Sequence, residues 1–296
     1  MTGDFFRDVV TLQRRCVLIM GTSIHELSMV TVISKRIVDF FRFMGSQLIE
    51  AMEVSGFTLV LLLESIYFTK NAISKHREIF KQMYIAGVKS LVVCSIVALF
   101  TGMILSLQAG VELMRFQQQA YVGDLVIATM TREMGPFMTA MILTASVGSA
   151  MAAEIGTMKV SEEIDALIMM SINPVKFLVM PRVVALSIML PVVTVYTNFL
   201  GTFGGGIIAR FQLNVSFDTY YMHVLDSLRF KATYVGLLKS FVFGIIISSV
   251  SCAQGLRAMH GAIGVGKATR SSVVLSFLLV LIIGYFITAI FYGKQV

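Results

Sequence analysis

From Met134 to Ala153 the chain runs twenty residues without a charge, and the next residue is Glu154. As a helix that run rises about 30 Å, the thickness of a bilayer's hydrocarbon core, so it reads as a membrane span. The remainder of the chain is of the same kind. Of 296 residues 56% are hydrophobic and 14% charged, with a mean hydropathy of +0.83, whereas soluble domains carry about 25% charged residues. The expected fold is an all-α integral membrane protein. Five transmembrane helices are placed at about 83–109, 122–153, 179–209, 234–253 and 271–292, in one membrane domain over 71–296.

The segment after Ala153 changes character. Read as one helix over about 154–173, EIGTMKVSEEIDALIMM puts Val160, Ile164, Leu167 and Ile168 on a single stripe, with Lys159, Glu162, Glu163 and Asp165 elsewhere on its circumference. Asn173-Pro174 ends it, because a residue before proline is pushed out of the helical region. A short amphipathic helix between two spans needs a partner for its apolar stripe.

Residues 1–34 are a mixed N-terminal extension to which no role is assigned. Residues 35–70 are more apolar but carry Asp39, Arg42, Glu50, Glu53 and Glu64, and their uninterrupted apolar part, Phe57 to Leu63, is too short to span. Basic residues flank them on both sides, so the expectation is an amphipathic helix lying in the interface. The rival is a sixth span through 54–68. The net charge of +7 comes from scattered residues with no basic, aromatic-interleaved patch, which argues against a nucleic-acid partner. Loops 70–82, 154–182 and 254–270 hold ten Lys or Arg and the opposite side five. The positive-inside rule therefore puts the amphipathic segment in the cytoplasm and the C-terminus outside.

Three charges interrupt apolar stretches. Arg132 and Glu133 either face a cavity or anchor the start of a span that begins at Met134. Lys239, within the fourth span, either meets a lipid phosphate or snorkels to the interface. Other motifs carry less. GAIGVGK at 261–267 has the GxxxxGK spacing of a phosphate loop, but Ala268 stands where a magnesium-binding Ser or Thr is needed and a span precedes it where a strand should be. GTFGGG at 201–206 suits close helix packing. The four histidines are dispersed and Cys16, Cys94 and Cys252 have no ligand spacing, so no metal site is expected, nor a nucleophile motif. No cleavable signal is evident in the first residues.

The order REMGP, AEIGTM, EEIDAL, NP over about forty residues resembles the MlaE-type (YrbE-type) permease family of MCE-associated ABC lipid transporters. The resemblance implies a bacterial inner-membrane homodimer. It would work with ABC ATPase subunits that bind ATP and Mg, an MCE-domain lipid-binding protein, and in some systems a STAS-type accessory subunit. It also implies that 154–173 is the coupling helix, with Glu154, Ile155, Gly156, Met158, Val160, Glu162, Ile164, Asp165, Leu167 and Ile168 meeting the ATPase. The cargo it implies is phospholipid or related membrane lipid, along a path past Arg132, Glu133, Lys239, Leu105, Leu113 and Phe116. Such a chain is a transport subunit with no nucleotide site or cofactor of its own. Similar proteins often have an acid in the final span where this chain has Gly284, which puts ion pairing with that span in doubt. The alternative function is a self-sufficient channel or secondary transporter for an amphipathic solute, which would be expected to show repeated halves or charges along a pore.

Overall fold

The computed structural model describes residues 52–70, 75–259 and 261–293. The expected 1–34 extension and residues 35–51 of the expected interfacial helix lie outside them. The chain divides into two units, residues 1–56 and 57–296. Of the first, only residues 52–56 are described, and they are helical.

The second unit contains no strand among its described residues. Helical residues 57–68 (α1) are followed by α2 (His76–Ala86) and, past a bend at Gly87, by α3 (Leu91–Arg115). Next come α4 (Val122–Thr129), α5 (Gly135–Leu143), α6 (Ser149–Val160), the short α7 (Glu163–Met169), α8 (Met180–Phe211), α9 (Phe217–Ser227), α10 (Phe230–Leu256) and α11 (Gly261–Tyr292). Among the described residues, five continuous helical stretches are long and apolar enough to cross a bilayer: His76–Arg115, Gln119–Val160, Val175–Phe211, Phe230–Leu256 and Gly261–Tyr292. The multi-pass, all-α expectation holds.

Helices α8 and α10 form the centre. Small residues let the others close on them, because without a hydrophobic drive between helices in lipid, contact area decides association. Buried residues of α3 are Cys94, Ala98, Gly102, Ser106 and Gly110, a strict four-residue stripe. A Cβ at Gly102 would collide with the Gly201 carbonyl, and one at Gly204 with the Leu99 carbonyl, so the GTFGGG run is where α3 and α8 touch backbone to backbone. Helix α11 repeats the device with Ala268, Ser272, Ser276, Val280 and Gly284. Gly236 of α10 leaves room for the Thr131 carbonyl in the same way, which brings α10 against the second span beside Arg132.

Two boundaries differ from expectation. The second span does not stop at Ala153. Its helix continues to Val160, through π turns at Met130–Met134 and Thr144–Gly148, and breaks only at Ser161-Glu162, where Glu162 adopts φ 62°. The residues from Glu154 onward stay helical because Ile155 is fully buried and Gly156 sits against Ala258 and Val265, so the helix end is part of the bundle. In addition, the polar excursion before the fourth span contains a helix, α9, capped by Ser216 accepting from the Thr219 N–H. Its Tyr220 is buried and donates to the Thr202 carbonyl at 3.0 Å; burial, with Tyr221 beside it, pushes that phenol's pKa up and keeps it a neutral donor.

Candidate functional site: a buried ion pair and an exposed elbow

The apolar runs that make the spans leave few places for charge, and the fold gathers three of the exceptions. Lys239, three residues after Gly236, has a side chain only 1% exposed. Its Nζ donates to Glu133 Oε1 at 2.6 Å, to Thr288 Oγ1 at 2.8 Å and to the Arg132 carbonyl at 3.0 Å. Thr288 in turn donates to the same Glu133 oxygen at 2.9 Å. Three hydrogen bonds from one ammonium use its whole donor capacity. The second, fourth and fifth spans are thereby tied at one point. Glu133 and Arg132 lie in the Met130–Met134 π turn, a helix irregularity that recurs at functional sites.

Glu133 keeps 44% of its side chain exposed, on a cavity of about 350 Å³ lined also by Phe137, Phe243, Gly284 and Tyr285. Arg132 places its guanidinium 5.1 Å over the Tyr292 ring, a cation–π arrangement. These contacts correct two expectations. Lys239 neither snorkels nor presents a charge to a phosphate, because Glu133 and two oxygens already satisfy it. The final span does take part in the ion pair despite Gly284, since Thr288, one turn further on, supplies a hydroxyl.

The elbow after the second span is the other feature. Lys159 and Asp165 pair across it at 2.8 Å. Helix α7 is only seven residues long, and the expected stripe does not all point one way. Ile164 is 3% exposed and joins Leu61, Ile155, Leu178, Val183 and Cys252 in a buried cluster, with Leu167 packed partly against it. Val160 is half-buried at the end of α6. Left outward are Ile168, Met169 and Met170, Met169 at 87%, together with Glu162, Glu163 and Asp165. The break at Glu162 turns α7 relative to α6, and within α7 the buried cluster takes in Ile164 and reaches Leu167 but ends before Ile168.

Glu154 accepts from Arg182 Nη2 at 2.9 Å, and Arg182 also donates to the Leu178 carbonyl at 3.1 Å. Met158 packs partly buried against the Ile164 cluster. Asn173, besides ending the turn, donates to Glu64 at 2.8 Å, which ties α1 to the elbow. Leu105, Leu113 and Phe116 are not brought to the Glu133 cavity: Leu113 packs near Val122 and Tyr220, Leu105 is half-buried on α3, and Phe116 is exposed past its end. Sequence reasoning missed Thr288 and Arg182. For Thr288 the signal was a hydroxyl four residues after a glycine, on one helix face; for Arg182 it was a lone cation at the start of an apolar run.

A family profile described as Permease MlaE matches residues 79–290, from α2 to the end of α11. A probable ABC transporter permease protein of Rickettsia typhi is 38% identical over 214 residues, 72% of this chain and 83% of that protein. One from Synechocystis sp. is 36% identical over 212 residues, 72% and 81% of the two chains. The intermembrane phospholipid transport system permease protein MlaE of Haemophilus influenzae is 30% identical over 269 residues, 90% of this chain and 98% of that one. Five span-length helices, an elbow between the second and third, and these matches lead to one conclusion: the chain belongs to the MlaE permease family and is a multi-pass membrane permease subunit of an ABC-type transport system.

Proposed function

We propose that this subunit moves phospholipids or related lipids between the bacterial inner membrane and a periplasmic MCE shuttle, driven by a separate ATPase. Two copies form the pathway, α7 lies in the cytoplasm and the C-terminus outside. A STAS-type accessory subunit is compatible with the same arrangement. The likeness to the Haemophilus influenzae phospholipid-system permease supports the cargo class. The charge count across the loops supports the orientation.

The observation that carries the reading is the outward face of α7. Three consecutive large apolar residues, Ile168 to Met170, stand exposed at the C-terminal end of a helix anchored through Ile164, with acids around them. An apolar tip with a charged rim is the anatomy of a docking surface. The anchor makes it a lever: Ile164 sits in one cluster with residues of α6, α8 and α10, so movement of the tip is passed to three spans. Closure of two ATP-loaded ATPase subunits would draw the two elbows together and tilt the halves. ATP and Mg belong to the ATPase; this chain contributes only the grip.

Along the path, Lys239 holds three spans in register and Glu133 lines the cavity. Arg132, over Tyr292, is the cation left to meet a head group. The test is co-purification. Met169→Glu together with Ile168→Glu is expected to cut recovery of the ATPase at least about ten-fold, the loss of one well-packed anchor contact, while the permease unfolds at the same temperature. Undiminished ATPase recovery from this variant would refute the docking role.

A further inference from the structure

A second cavity, of about 440 Å³, opens between α2 and the elbow end of the bundle. From α2 it is lined by Glu78, Lys81 and Ile85, spaced three and four residues apart and so on one helix face. Facing them are Glu154, Phe177 and Arg182. Its depth follows from helix length. The 25 residues of α3 rise about 37 Å, already more than a hydrocarbon core, so α2, beyond the bend at Gly87, lies at head-group level. Phe80 and Tyr84 of α2 are exposed, as aromatic residues of that layer are.

The charges in the cavity are of two kinds. Arg182 is buried and held by Glu154, with its Nε unpartnered among the described residues. Glu78 and Lys81 are exposed and, among the described residues, have no ion-pair partner. The lining thus holds two acids and two bases. A free anion would face Glu78 and Glu154, and a free cation Lys81 and Arg182, so either ion alone is opposed. A zwitterion is not. With Cβ atoms about 5–6 Å apart at this spacing, Glu78 and Lys81 match an ammonium and a phosphate joined by two carbons. A primary ammonium donates hydrogen bonds to a carboxylate, which a quaternary one cannot.

We propose that this cavity binds the head group of an aminophospholipid of the phosphatidylethanolamine type, its phosphate at Lys81 and Arg182 and its ammonium at Glu78. Ile85 and Phe177 border the glycerol and first methylenes. The proposal rests on the reading of the chain as a phospholipid permease and adds to it a head-group preference, located at the elbow and away from the Glu133 cavity.

The test is lipid retention by the full chain in nanodiscs of equal phosphatidylethanolamine, phosphatidylglycerol and phosphatidylcholine, measured by mass spectrometry of lipid that survives detergent exchange. Wild type is expected to enrich phosphatidylethanolamine about ten-fold, the value of one charge-assisted contact. Glu78→Gln is expected to abolish the preference over phosphatidylcholine, and Glu78→Lys to invert it in favour of phosphatidylglycerol. Glu78 is exposed, so the unfolding temperature should not move in either variant. Equal lipid ratios in wild type and Glu78→Lys overturn the proposal, as does displacement of the lipid by soluble phosphoethanolamine at comparable concentration. Preferential retention in a chain that recovers no ATPase would sink the transporter reading and leave the site standing; lost preference with ATPase recovery intact would sink the site alone.

Discussion

The ion pair inside the bundle and the elbow at its end treat charge and apolar surface in opposite ways. Every donor of the Lys239 ammonium finds an acceptor from the same chain, and three spans are committed to one arrangement. At α7 the reverse holds: methionines face outward and acids surround them. A buried charge must be answered within the fold because water cannot answer it. A surface beyond the membrane can be left unanswered, and it then waits for another molecule. The lesson is that position in the bilayer decides whether an unusual residue belongs to architecture or to assembly.

The comparison breaks most readily at Glu133. Glu133→Ala strands the ammonium of Lys239 in the interior and is expected to cost about 3–5 kcal/mol. Lys239→Met should cost less, because the Glu133 left behind is 44% exposed whereas Lys239 is 1% exposed. Equal losses in the two variants would show that the pair is wetter than its burial indicates. Heating in detergent followed by circular dichroism measures both, since the chain has no tryptophan to report by fluorescence.

Within the elbow, Ile164 and Met169 provide the next contrast. Ile164→Ala empties part of the cluster beneath α7 and should cost about 2–4 kcal/mol, whereas Met169→Ala should stay within about 0.5 kcal/mol. A stability loss from Met169→Ala would mean that its face is already covered in the folded subunit. The smallest effect is expected at Thr288. Thr288→Val removes a hydroxyl that bridges Lys239 and Glu133 without removing either charge, for about 1 kcal/mol.

Much of the architecture was legible in residue order. Helix-length apolar runs named the five spans, and the run from Met134 to Ala153 is indeed part of one. GTFGGG read correctly as a packing device. The four-residue spacing of small residues in α3 and α11 could have been read as well. The candidate site was legible in part: Arg132, Glu133 and Lys239 stood out as charges among apolar residues. Their relation did not, because residues 133, 239 and 288 share no sequence neighbourhood and hydrogen-bond partners cannot be counted along a chain. The stripe on α7 failed for a different reason. A helical wheel assumes an unbroken axis with a neighbour along its whole length, whereas Glu162 breaks the axis and the cluster under α7 ends before Ile168.

By itself, then, the sequence determined that the chain is a helical membrane protein, which apolar runs from residue 83 onward are long enough to cross, and where its charge is anomalous, because length and hydropathy act locally. Only the tertiary structure decided that Lys239 is satisfied and Met169 is not, and that Glu78, Lys81, Glu154 and Arg182 share one cavity. Those outcomes depend on which distant segments arrive beside each side chain. That is settled by packing, and packing has no period to read.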